Sequence, residues 1–223
     1  MEEIVKVSNL TKDVFSGNKK IRIIENISLT INKGDFVLIT GRSGSGKSTL
    51  LYQLGLLDNP TEGEIIIKNC NAVELSEIEK TNFRLRNFGY VFQDYALLPE
   101  LKAIENVILP LFMVGFSKEQ ALSKGRDVLK KVGLEGKENN LPSGLSGGEQ
   151  QRVSIARAIV NDPEIIFADE PTANLDAKTS FKIIDLFKEL NKKGQTIVMV
   201  SHERDIRKEE VKFFELVDGK LVS

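Results

Sequence analysis

The residues best suited to chemistry fall into three groups, and the tightest is a loop of glycine, serine and lysine. Gly41, Arg42, Ser43, Gly44, Ser45, Gly46, Lys47 and Ser48 match the spacing G-x-x-x-x-G-K-[ST], with Thr49 next in line. Residues 36–40 (FVLIT) read as a short buried strand before the loop, and Leu50, Leu51 and Leu54 start a helical period after it. That strand–loop–helix setting is what the spacing needs to act as a phosphate cradle. Glycines let the backbone curl so that successive N–H groups point inward at phosphate oxygens. The helix start adds positive potential. Lys47 is placed to neutralise terminal phosphates, and the Ser48 hydroxyl to ligate Mg²⁺.

The second group ends a buried strand, Ile165-Ile166-Phe167-Ala168-Asp169-Glu170. Asp169 is positioned to hold a hydrated Mg²⁺, and Glu170, one step on, to polarise an attacking water. Without the phosphate loop the same residues would read as a strand and an acidic turn. The third group is Leu145-Ser146-Gly147-Gly148-Glu149-Gln150-Gln151-Arg152. Ser146-x-x-Glu149 is a capping box, and a capped helix needs no function. Two glycines in a first helical turn, however, cost about 1 kcal/mol each relative to alanine. Something must approach that backbone closely, and a bare helix start with a serine hydroxyl can receive an anion. One nucleotide does not easily require two phosphate-gripping helix ends from one small domain. An economical solution is that the second end serves the nucleotide of another copy.

The positioning elements follow from hydrophobic period. Residues 5–10, 21–31, 36–40, 64–68, 89–92, 165–168 and 196–200 read as strands. Ser117 with Gln120 opens a capped helix to about 132, and Ser146 opens another that ends at Asn161-Asp162-Pro163. A further helix is expected over 178–192. Short apolar strands alternating with helices indicate an α/β fold with a parallel sheet buried on both faces.

Composition sets outer limits. At 223 residues the chain has room for a substantial core, and 41% hydrophobic with 28% charged residues is ordinary for a water-soluble globular protein. Lys+Arg 31 against Asp+Glu 32 gives no electrostatic reason to expect a nucleic-acid partner. A single cysteine, Cys70, excludes an internal disulfide and fits a reducing compartment. The opening MEEIVKVSNL has acids where a signal peptide needs bases. The most apolar stretch, 107–116, is interrupted by Pro110 and falls short of the roughly 20 residues that span a bilayer. Any membrane role is therefore expected to pass through a partner.

These motifs, in this order, give the chain its resemblance to a family. It resembles the ATP-binding subunits of ABC transporters over essentially its whole length. The matching positions are the loop at Gly41 to Ser48, Gln93 in YVFQD, LSGGE at Leu145 to Glu149 and the Asp169-Glu170 pair. Ala173-Asn174-Leu175-Asp176 and His202 in VMVSH follow. His202 is the sole histidine and follows an expected parallel strand, where ligands of such sheets bind. The resemblance implies one ABC ATP-binding domain over 1–223. Its phosphate-loop core would comprise about 1–93 and 161–223, with an antiparallel β-part near the N-terminus and an inserted helical subdomain at about 94–160. It implies hydrolysis of ATP with Mg²⁺, and a head-to-tail homodimer that closes on two ATP molecules. Residues 41–49 of one subunit and Ser146, Gly147 and Gly148 of the other would hold each ATP. Lys47, Gln93, Glu170 and His202 would act in hydrolysis, and Ser48, Gln93 and Asp169 at the metal. It also implies an integral membrane permease as partner and a cytoplasmic place on the inner membrane face.

Residues 55–65, 95–111 and 167–176 look most like the branch of lipoprotein-releasing ATPases, macrolide and peptide exporters and the cell-division ATPase. The chain departs from the family where adenine usually stacks on a tyrosine just past L-T-K. Leu10-Thr11-Lys12 is followed here by Asp13, Val14 and Phe15, and Phe15 supplies a ring that can stack. Ala173 also stands where glycine or serine is common. Two other classes remain: a soluble ABC ATPase of DNA repair or translation, and a phosphate-loop kinase or GTPase acting alone. The first usually carries a coiled-coil insertion or two fused ATPase domains, and the second has no use for LSGGE.

Overall fold

In a computed structural model, which describes residues 2–17, 19–201 and 211–222, the chain divides into two compact units. One comprises Met1–Asn82 with Gly194–Ser223, the other Phe83–Lys193.

The first unit holds the antiparallel strands. β1 (Glu3–Ser16) pairs with β2 (Lys19–Asn32) from Glu3↔Asn32 to Ser16↔Lys19. β4 (Glu62–Ile67) lies on the other edge of β1, and the two-residue β5 (Cys70–Asn71) beyond it, in the order β2-β1-β4-β5. Val5, Val7 and Leu10 of β1 and Ile27, Leu29 and Ile31 of β2 are buried, the alternation of a sheet with one covered face. β3 (Phe36–Thr40) is different. It lies parallel to both β8 (Thr196–Val200) and β9 (Lys212–Val217), and its run FVLI is buried throughout, as is β8. Such a run has no polar face because the strand meets protein on both sides. α1 (Lys47–Leu54) follows β3 and packs on β8. β10 (Lys220–Val222) returns antiparallel on β9 through Asp218 (φ 47) and Gly219 (φ 78), the two left-handed positions of a tight hairpin.

In the second unit β6 (Phe88–Val91) lies parallel to β7 (Ile165–Asp169), with Val91 opposite Ala168. Phe83, Phe88, Tyr90 and Phe167 form an aromatic cluster; the Phe88 and Phe167 rings meet edge to face at 5.0 Å. Gly89 is obligatory, since a Cβ there would lie 2.2 Å from the Ala158 carbonyl oxygen. α3 (Ala103–Met113), α4 (Lys118–Lys131) and α5 (Gly147–Ile159) pack on one another, and α6 (Ala177–Lys192) lies against α5. Asn106 of α3 is fully buried. Its amide accepts from the Leu98 N–H and donates to the Leu98, Leu101 and Lys102 carbonyls, pinning the loop before the helix.

The α/β class and the capped helices agree with the sequence reading. β1 runs beyond 5–10 because its polar continuation is still bonded to β2 through register shifts, which hydrophobic alternation does not register. α3 keeps its helix through Pro110; the missing N–H falls in its last turns, where it disturbs little else. α2 (Glu77–Asn87) and the β9–β10 hairpin were legible but unread. Ser76 and Glu79 form a capping box before α2, and Asp218-Gly219 is a hairpin dipeptide.

Candidate functional site

The sequence-selected residues of the first unit converge where β3 ends. Gly41 (φ 151) leaves the strand in a conformation that favours glycine, and a Cβ there would lie 2.2 Å from the Leu216 carbonyl oxygen. Gly46 (φ 99) occupies the N-cap of α1, and a Cβ there would lie 2.8 Å from the Ile23 carbonyl oxygen. These two positions admit no side chain. No side chain caps α1, and its first turn holds no acid. The positive end of the helix is thus not covered by a capping side chain or an acid of its own first turn. Lys47 is buried, and its Nζ donates to the Arg42 carbonyl at 3.0 Å, drawing the ammonium back over the loop. The Ser45 hydroxyl is buried with no hydrogen-bond partner. Arg42, Ser43 and Gly44 face solvent, while Ser48 and Thr49 are half-buried. A concentration of backbone N–H donors, cationic side chains and hydroxyls, without a carboxylate, fits a polyphosphate.

In the same unit Phe15 stands at the open end of β1, 74% exposed, opposite Lys20. Val14, on the other face of the strand, is 37% exposed. The neighbouring Asp13 carboxylate is shielded from water by Lys20 Nζ at 2.8 Å and Arg22 Nε at 2.9 Å. Hydrogen bonds from Arg22 first and Lys20 second hold its pKa down at about 2. The Thr61 hydroxyl receives the Asp13 N–H at 2.9 Å, tying this stretch of β1 to the segment before β4.

The second unit gathers its candidates at the carboxyl ends of two adjacent parallel strands. Asp169 ends β7 and is buried. Glu170 follows at φ 44, a left-handed conformation costing roughly 1–2 kcal/mol in a non-glycine residue. The chain turns there, and the Glu170 carbonyl accepts from the Ala173 N–H at 3.2 Å. Gln93, two residues past β6, has an exposed side chain, and its carbonyl accepts from Asn174 Nδ2 at 3.0 Å. The loop carrying Gln93 and the loop after Glu170 are therefore joined. Among the described residues no group of three or more His, Cys, Asp or Glu could hold a metal by protein ligands alone. A Mg²⁺ carried by phosphates needs only one or two from the protein, and Asp169 is of the right chemistry.

Ser146 is the N-cap of α5, and the capping box is closed. The Ser146 N–H donates to Glu149 Oε2 at 2.9 Å, and its hydroxyl accepts from the Glu149 N–H at 3.4 Å. The backbone N–H and then the hydroxyl of Ser146 lower the Glu149 pKa. Gly147 and Gly148 are indeed approached closely, but by the chain itself. A Cβ on Gly147 would lie 3.0 Å from the Tyr95 hydroxyl, and one on Gly148 would lie 2.4 Å from Thr179 Cγ2 of α6. The packing of this unit accounts for the close approach at Gly148, and at Gly147 in part, so the close approach does not by itself require a ligand. Tyr95 and Thr179 are the residues that the sequence reading missed, and no local pattern marks them. His202 lies outside the described residues.

With that geometry in place, comparison with known proteins is informative. A model of the ABC transporter family matches residues 24–173. The lipoprotein-releasing system ATP-binding protein LolD of Aquifex aeolicus is 46% identical over 222 residues, covering 100% of this chain and 97% of that protein. The macrolide export ATP-binding/permease protein MacB of Mannheimia succiniciproducens is 43% identical over 219 residues, 98% of this chain but only 34% of that longer protein. Among solved structures, the dimeric post-hydrolysis state of the ATP-binding cassette MJ0796 bound to ADP and Pi superposes with a TM-score of 0.91. It is 43% identical, covering 99% of this chain and 97% of that one.

Proposed function

We propose that this chain, which belongs to the ABC transporter family and is one of its ATPases, is the motor subunit of a membrane transporter. The observation that carries the assignment of the nucleotide to particular residues is the start of α1: uncapped, free of acids, and with Lys47 buried beside it. Residues 41–49 hold the phosphates through backbone N–H groups, with Lys47 opposing their charge and Phe15 offering its exposed ring to the base. Bound Mg²⁺ supplies charge neutralisation between the phosphates. Ser48 and Asp169 would hold it, and Gln93, two residues past the strand beside β7, would register it. Glu170 accepts the proton of the attacking water, and to His202 we assign the terminal-phosphate role that the family resemblance implies. The protein's contribution is positioning and charge stabilisation, since phosphoryl transfer asks little covalent chemistry of it.

Two copies meet head to tail, and Ser146, Gly147 and Gly148 of each complete the site of the other. The dimeric MJ0796 cassettes support the pairing of two copies. Among the described residues no helix is long and apolar enough to cross a membrane, so we assign membrane attachment to an integral permease partner, on the inner face. The names of the relatives, a lipoprotein-releasing system and a macrolide exporter, support that branch and lend nothing to a role in DNA repair or translation.

Glu170→Gln tests the reading. It preserves shape and removes the carboxylate, so ATP still binds, hydrolysis stalls and the closed dimer accumulates by linkage. Size-exclusion chromatography with light scattering should show a dimer with ATP and not with ADP. Turnover at the unmutated rate removes Glu170 from catalysis; an inactive variant that stays monomeric with ATP counts against the paired site.

A further inference from the structure

The loop that carries Gln93 is held in an unusual way. Tyr95 (φ 64) and Ala96 (φ 46) are consecutive non-glycine residues in left-handed conformations. Each such residue costs free energy that surrounding contacts must offset. The contact here is Arg157, about three turns along α5 from Ser146. Its Nη1 donates to the Ala96 carbonyl at 2.5 Å and its Nη2 to the Tyr95 carbonyl at 2.9 Å. A planar guanidinium fork suits two neighbouring carbonyl oxygens in a way that a point-like ammonium does not. The side chain is half-buried; burial lowers its pKa against the opposing pull of Asp94, and it remains charged at any working pH. The same loop is bound to α5 a second time. The Tyr95 hydroxyl stands against Gly147, at the other end of the helix from Arg157. Asn174 holds the Gln93 carbonyl at the loop's start.

We propose that Arg157 is a positioning residue for hydrolysis: its fork locks Tyr95 and Ala96 in the left-handed turn that aims Gln93. It thereby makes the Gln93 loop and the helix of Ser146, Gly147 and Gly148 move as one body. The proposal rests on the reading that Gln93 acts in hydrolysis. A displacement of the Gln93 loop then reaches the helix start that serves the partner's nucleotide, and closure at that helix start reaches Gln93. The fork binds the Tyr95 and Ala96 carbonyls and neither Lys47 nor Phe15, so analogue affinity is expected to change little when it is lost.

The test uses the full chain in five forms: unmutated, Gln93→Ala, Arg157→Gln, Gln93→Ala/Arg157→Gln and Arg157→Gln/Ala96→Gly. Turnover of Mg-ATP, the Mg²⁺ concentration for half-maximal turnover, and affinity for a fluorescent ATP analogue are measured for each. Arg157→Gln should lower kcat by about tenfold or more, raise the Mg²⁺ requirement, and leave analogue affinity within about threefold. If Arg157 acts through Gln93, the double variant should be no slower than Gln93→Ala alone. Glycine at 96 adopts the left-handed turn without the fork, so Ala96→Gly should restore at least about threefold of the lost turnover. A residue that merely stabilises the fold would not be rescued in this way. Multiplicative losses in the double variant, absence of rescue, or turnover of Arg157→Gln within about twofold of the unmutated rate would each overturn the proposal. An unaltered Gln93→Ala overturns the reading of Gln93 and the proposal with it; a crippled Gln93→Ala beside an unaltered Arg157→Gln overturns the proposal alone. Should Arg157→Gln not fold, Arg157→Lys keeps the charge without the fork. The same loss of kcat and shift in Mg²⁺ requirement is expected, and unmutated behaviour overturns the proposal.

Discussion

The starts of α1 and α5 are the same backbone object finished in opposite ways. Both place the first backbone N–H groups and the positive end of a helix at a loop. At α1 the N-cap is Gly46, no side chain caps, no acid lies in the first turn, and a cation is buried beside it. At α5 the N-cap is Ser146, Glu149 closes the capping box, and Lys137 in turn pairs with Glu149 at 3.4 Å. A serine cap contributes about 1 kcal/mol to a helix. α1 forgoes it, which is what the proposed place of the phosphates in this loop would offset. α5 lacks nothing while alone. The comparison teaches that an open helix end is informative within one chain, whereas a closed one needs evidence from a second copy before any ligand is assigned to it.

The sharpest way to break this contrast is at Lys47. Lys47→Ala removes the buried ammonium that opposes phosphate charge, and the affinity for a fluorescent ATP analogue should fall by about 100-fold or more, some 2.7 kcal/mol. A loss within about threefold would show that the α1 end does not depend on its cation. Ser146→Arg attacks the other end. The lost cap should cost about 1 kcal/mol of stability, visible as a lower unfolding midpoint. The subunit should still fold and bind ATP, yet lose hydrolysis. Mixed with Lys47→Ala subunits, it forms hybrids in which one composite site carries both defects and the other neither, so part of the ATPase activity should return. Full activity of Ser146→Arg alone would remove the α5 end from the site.

Smaller effects sharpen the picture at the edge of β1. Phe15→Ala should weaken ATP by about fivefold, in keeping with an aromatic contact of roughly 1 kcal/mol, and leave inorganic triphosphate binding intact. If Phe15→Ala has no effect and Val14→Asp does, the base rests on the other face of the strand. The smallest effect is expected from Asp13. Its carboxyl titrates near 2 in the fold rather than at the ordinary 3.8, so the folded state holds that proton less readily. Its contribution is therefore complete above about pH 4 and is lost as the pH falls toward 2. The difference in thermal midpoint between the unmutated chain and Asp13→Asn should be constant above pH 4 and shrink below it. A difference that does not change with pH would assign the Asp13 contacts no electrostatic weight.

Much of this molecule was determined by sequence alone, wherever a residue's own neighbours carry the physics. Residues 36–40 and 196–200 are strands at the positions read from them, because a run of apolar residues between turns is buried whatever lies around it. Ser117 and Ser146 begin helices because a capping box is closed within four residues. The loop at 41–46 takes its glycine-dependent turn and leads into a helix at Lys47, as its spacing predicts, because both features belong to one continuous stretch of backbone. Tertiary structure alone decided what touches that backbone from afar. The sequence shows that Gly147 and Gly148 are tightly approached, and only the fold shows Tyr95, Leu175 and Thr179 doing it. Nothing local marks Arg157 among the other arginines; the fold sets its guanidinium against two left-handed carbonyls. The physical reason is one of range: propensity, capping and periodicity act within a few residues of the chain, while steric exclusion and buried hydrogen bonds act between residues that only folding brings together.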